Sequence, residues 1–120
     1  EHSHALFSKG HQITSTWLNE VQRPTYLTEE QWFQALGVKD LAEVASADCI
    51  ILDNDGISTS GGRYTEWGFA LGRFNMLKLV VGTSHYGVFF GLADKKFKNW
   101  EEVHTYFDIL KEYPNDARLE

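Results

Sequence analysis

Apolar residues fall in short runs whose spacing changes along the chain, and each change marks an element. Ala5, Leu6 and Phe7 precede Lys9 and Gly10, which reads as the end of a helix closed by a C′ glycine. His11 to Leu18 is β-rich and bounded by polar residues, so a strand is expected there. Asn19 to Thr28 holds Pro24 and no helical stripe, and is a loop. Thr28-Glu29-Glu30-Gln31 has the form of a capping box. It opens a helix to about Ser46, broken or eased at Gly37, with Leu36, Leu41, Val44 and Ala45 on its inner side. Asp48 to Asp53 is a continuous apolar run between aspartates, the mark of a buried parallel strand. A Gly/Ser/Thr/Asp loop follows from Asn54 to Arg63. A helix is predicted over Thr65 to Asn75, where Trp67, Leu71 and Phe74 interleave with small residues. Leu77 to Gly82 is the next strand, and Thr83 to Gly91 another loop. The Lys95, Lys96 and Lys98 run reads as a solvated turn, with a short last strand from Phe97 and a final helix from Trp100 to Glu112. Tyr113 to Glu120 is expected to fray.

Helices alternating with strands imply an α/β fold, a parallel sheet covered on both faces. Ligands in such sheets bind beyond the carboxyl ends of the strands. The loops there are Asn19–Glu29, Asn54–Tyr64 and Thr83–Gly91. At 120 residues the chain suits one domain spanning residues 1–120, with no repeat or linker. A hydrophobic share of 42% excludes a disordered chain. A formal net charge of −6 without a basic run argues against a nucleic-acid polymer as partner. No apolar run is long enough to span a bilayer, and no signal segment opens the chain, so no membrane partner is expected. The single cysteine, Cys49, rules out an internal disulfide and points to a reducing cytoplasm. His2, His4, His11, His85 and His104 show no metal-ligand spacing, so neither a metal nor a cofactor is expected.

Candidate chemistry centres on Asp53 to Gly68. A buried strand feeds a loop of small residues ending at a helix N-terminus, where free amides and the helix dipole favour an anion. Gly61 and Gly62 permit close backbone approach, Ser58 to Ser60 add hydroxyls, and Arg63 adds a fork that matches phosphate. Glu66 is placed in the first helical turn, where the dipole favours its ionised form, and an ionised carboxylate facing a cleft is a nucleophile. The plainer reading is a turn with a capping carboxylate. Asp53 and Asp55 either meet a ribose hydroxyl or cap the turn. Trp17 and Tyr26 either stack a base or pack, whereas Trp32, Trp67 and Trp100 are assigned to packing.

Asp40-Leu41, then Ala47-Asp48 before the buried strand, then Ser60-Gly61-Gly62-Arg63-Tyr64-Thr65-Glu66-Trp67-Gly68-Phe69-Ala70, resemble the nucleoside 2-deoxyribosyltransferase family. That family includes the 2′-deoxynucleoside 5′-monophosphate N-glycosidases, and the likeness covers roughly residues 5 to 110. The resemblance implies that Glu66 attacks C1′ of a nucleoside or nucleotide through an oxocarbenium-like state, forming a glycosyl-enzyme. Asp40, 26 residues before it, would supply or relay a proton to the departing base. Water would then release the sugar, or a second base would accept it. Ser60 matches the phosphate-contacting serine of the monophosphate hydrolases, which favours a nucleotide substrate. A homodimer or higher homo-oligomer, and a flavodoxin/Rossmann-like three-layer sheet, are also implied.

Two departures stand out. The family's first, central strand has no counterpart and would precede Glu1, so a longer native chain is expected. Gly87 stands where relatives often carry Asn. Two rival readings remain. One is a non-catalytic nucleotide-binding or sensor domain. The other is a cytokinin-activating-type phosphoribohydrolase, in which the glycine pair would lie farther from the glutamate.

Overall fold

A computed structural model describes residues 2–14, 22–54, 62–82 and 88–120. Three strands, β1 (Cys49–Asp53), β2 (Leu77–Val81) and β3 (Lys95–Phe97), form one sheet in that order. Both pairings are parallel, with Cys49 opposite Leu77 and Leu79 opposite Lys95. Helices α1 (His2–Ser8) and α2 (Glu29–Ser46) precede β1, α3 (Gly62–Leu71) joins β1 to β2, and α4 (Trp100–Glu112) follows β3. Short 3-10 helices occupy Val88–Leu92 and Ala117–Leu119. The α/β fold read from the alternation is therefore present as a small parallel sheet with flanking helices.

Side chains alternate across the strands and meet different helices. Ile50, Leu52 and Val80 pack with Val44 of α2 and with Trp67 and Ala70 of α3. Cys49, Ile51, Leu79 and Val81 pack with Leu6 of α1 and with Val103, Tyr106 and Phe107 of α4. Lys78 is buried in the central strand, where its Nζ donates to the Met76 carbonyl at 3.0 Å. Cys49 is half-buried, and burial, then the negative charges of Asp94 and Asp48, push its thiol up to about 12.

The helix ends follow the sequence closely. The Thr28 amide donates to Gln31 Oε1 at 2.9 Å and the Gln31 amide to Thr28 Oγ1 at 3.1 Å, completing the capping box. α2 runs through Gly37 unbroken. Asn99 caps α4 by accepting the Glu102 amide at 3.0 Å. At the end of α1, the His11 amide reaches the Leu6 carbonyl at 3.1 Å and the Gly10 amide the Phe7 carbonyl at 3.0 Å. With Gly10 at φ 95°, this is a Schellman closure on the glycine expected from the sequence.

Several expectations need correction. Residues 11–14 form no strand, and the rest of the His11–Leu18 prediction lies outside the described residues. Ile13 packs into the α1–α4 core and the His11 ring stands edge-on to Phe107 at 4.9 Å, so contacts with helices replace a ladder. α3 begins at Gly62 and stops at Leu71, because the Gly72 and Arg73 amides bond back three residues to Phe69 and Ala70 and tighten the end. Phe74 consequently lies beyond the helix and is wholly exposed. β3 ends at Phe97 instead of starting there, so Lys95 and Lys96 are strand residues on the sheet's edge, where lysines discourage further pairing. Residues 88–91 belong to a 3-10 helix instead of a loop. The tail is also ordered: Asp116 Oδ1 accepts the Arg118 amide at 2.8 Å and Leu119 packs on the α1–α4 core. Among the described residues, no helix is long and apolar enough to cross a membrane.

Candidate functional site

Helices α2 and α3 lie on the same side of the sheet, where Val44 and Ala70 share one buried cluster. Residues four apart on a helix stack one above the other, so Asp40 sits one turn above Val44 and Glu66 one turn above Ala70. The packing that buries the two apolar residues thereby brings the two carboxyl groups together. Glu43, on the same face of α2, joins them, and Lys39 lies 3.8 Å from it. Burial pushes the Glu66 carboxyl above its ordinary range, and the charges of Asp40 and then Glu43 push it in the same direction. This reverses the effect expected of the helix dipole. Glu66 is the fifth residue of α3, beyond the first turn in which the dipole is felt, and its environment is acidic and half-buried.

Of the other assigned residues, Asp53, Gly62 and Arg63 are described, and they lie around the carboxyl end of β1 and the start of α3. Arg63, half-buried in the first turn of α3, donates from Nη1 to the Asp53 carbonyl at 2.8 Å. Its Nη2 reaches the Tyr64 hydroxyl at 3.3 Å, and its guanidinium lies over that ring at 5.1 Å from the centroid. Part of the fork expected to meet phosphate therefore ties α3 to β1. Asp53 points its carboxylate toward α4, where Oδ2 accepts the Trp100 indole N–H at 3.1 Å. Gly62 opens α3. Trp17, Asp55, Ser60, Gly61 and Gly87 lie outside the described residues.

Three features were not anticipated. Asn54 is buried at the end of β1, and its amide donates to the Val81 carbonyl at 2.8 Å. A polar residue directly after an apolar strand was the available signal. Trp67, only 2% exposed, packs as assigned and also donates from Nε1 to the Phe89 carbonyl at 3.2 Å, holding the 3-10 helix after β2. Trp100 was assigned to packing alone, yet it hydrogen-bonds Asp53 and carries the His2 ring stacked at 4.3 Å. An open groove of about 660 Å³ between β3, α4 and the tail is floored by Phe97, Tyr106 and Leu119, and contains none of the assigned residues. Among the described residues, no group of three or more side chains is arranged to hold a metal ion.

Burial and the neighbouring negative charges make Glu66 easier to protonate than a solvated carboxyl. That suits acid–base work or a carboxylate nucleophile with a proton donor beside it. No protein-family model, curated protein or solved structure matches this chain.

Proposed function

We propose that this protein cleaves the N-glycosidic bond of a (deoxy)nucleoside 5′-monophosphate or nucleoside, by hydrolysis or by base exchange. The observation that supports the reading is the approach of Asp40 on α2 to the half-buried Glu66 on α3, close enough for its charge to raise the Glu66 pKa. In this reading Glu66 is the nucleophile and reacts in its ionised form, which burial and the neighbouring carboxyl groups make scarcer but more basic. Its carboxylate attacks C1′ as the C1′–N bond breaks, giving a glycosyl-enzyme, and Asp40 delivers or relays a proton to the departing base. Water, or a second base, then attacks C1′ and frees the carboxylate. The first amides of α3, together with Gly61, Gly62, Ser60 and Arg63, form the phosphate end of the site, and Asp53 and Asp55 the sugar edge. The sheet belongs, on this reading, to a flavodoxin/Rossmann-like arrangement in a homo-oligomer acting in the cytoplasm.

The test is base release, followed by chromatography, from ribo- and deoxyribonucleosides with and without 5′-phosphate, each with and without an acceptor base. Glu66→Ala is expected to abolish release. Release that requires the phosphate but no acceptor identifies a nucleotide hydrolase, and acceptor-dependent exchange on free nucleosides a transferase. Ligand binding that survives Glu66→Ala, with no release by the unsubstituted protein, identifies the nucleotide-binding domain instead.

A further inference from the structure

We propose that Trp100 is a positioning residue that holds Asp53 at the mouth of the nucleotide site, with the His2–His104 pair as its brace. The inference rests on the nucleotide reading above and adds a residue that the reading does not use. An indole N–H only donates and an ionised carboxylate only accepts, so the 3.1 Å contact between Trp100 Nε1 and Asp53 Oδ2 has a single polarity and is charge-assisted. It favours one rotamer for the Asp53 carboxylate, which lies exposed at the end of β1. The same residue's carbonyl takes the Arg63 guanidinium, so the setting of Asp53 is shared with the first turn of α3.

Trp100 is itself held from the far side. The His2 ring lies 4.3 Å from it with an interplanar angle of 10°. His2 Nδ1 is 3.1 Å from His104 Nε2, one turn along α4 from Trp100. A bond between two imidazole nitrogens needs one donor and one acceptor, so at least one ring must be neutral. Among the described residues, the charged groups that bear on the pair include Lys9 just after α1 and Asp108 of α4, which form an ion pair at 3.1 Å, and Asp53 across the indole. His11 packs edge-on against Phe107. Burial, Lys9 and His2 lower the His104 pKa from 6.5, against the opposing pull of Asp108. A second proton on the pair removes the acceptor, so the bond opens and two like charges meet beside the indole.

The experiment follows the Trp100 indole N–H resonance of the ¹⁵N-labelled protein against pH, in the unsubstituted chain and in Asp53→Ala. In parallel, KM and kcat for base release from deoxynucleoside 5′-monophosphates are measured for the unsubstituted chain and Trp100→Phe, which keeps a ring for His2 to stack on. The resonance is expected to shift in Asp53→Ala and to titrate below pH 6.5. Trp100→Phe is expected to raise KM roughly tenfold, as for loss of one charge-assisted hydrogen bond, with kcat within about twofold. In the unsubstituted chain KM is expected to rise as pH falls below 6.5, and that rise should be absent from Trp100→Phe. An indole signal indifferent to Asp53→Ala, or an unchanged KM in Trp100→Phe, overturns the proposal. Base release with no indole coupling sinks this inference alone. Indole coupling with no base release from any nucleotide sinks the glycosidase reading alone.

Discussion

Glu66 is held where an ionised carboxylate is poorly tolerated. Burial and two acidic neighbours favour its protonated form, so its folded-state pKa lies above the value it has in the unfolded chain. A group of that kind contributes its full share of stability below its unfolded pKa of about 4.5 and loses it as pH rises through the folded value. Glu66→Gln should accordingly raise Tm at pH 7, and the gain should vanish near pH 4, as followed by thermal circular dichroism across that range. A glutamine without benefit at pH 7 would mean that the acidic neighbours do not press on this position. The same substitution removes the proposed nucleophile, so on the glycosidase reading the gain in stability should coincide with loss of base release. Asp53 illustrates a different role at this scale. Its carbonyl serves α3, its carboxylate serves α4, and nothing in its sequence context distinguishes it from a strand-ending aspartate.

At the level of elements, terminal chemistry set the boundaries where it was strong. Thr28 with Gln31 fixed the start of α2, Asn99 the start of α4, and Gly10 the end of α1. Gly10 is open on all sides at its Cβ position, so replacing it tests backbone conformation alone. Gly10→Ala should cost about 1–2 kcal/mol, the penalty for an L-residue with φ near 95°, measured as a lower urea midpoint with unchanged m. The same reasoning explains what the sequence left illegible. α3 has neither a strong N-cap residue at its start nor a proline at its end, and its limits came from backbone closure at Gly72 and Arg73. Residues 11–14 carry a strand-like composition that their contacts with α4 override. The Asp40–Glu66 pairing was legible only through motif resemblance, since local pattern does not say that α2 and α3 lie side by side. The indole–carboxylate and imidazole contacts join positions 47 and 102 residues apart, a separation no local pattern reports.

For the whole molecule, the sheet is small and its helices divide the apolar residues into separate clusters on its two sides. The radius of gyration, 15.7 Å, exceeds the roughly 13.6 Å typical of a compact chain of this length. Phe33 and Val38 on α2 stand 59% and 66% exposed, and Phe7 and Phe74 are also open to solvent, surface that the proposed homo-oligomer would cover. Cys49 joins β1 to both α1 and α4 through the cluster they share. Its thiol, pushed up to about 12, holds almost no thiolate at neutral pH while the sheet is intact. The chain thus carries its own clock for unfolding. Iodoacetamide at pH 8 should alkylate the folded protein far more slowly than the protein in urea, with a rate that follows the population of opened molecules. Ligands that bind the intact site would slow the clock in proportion to their occupancy, so one sulfur atom can report on binding partners whose chemistry is not known in advance.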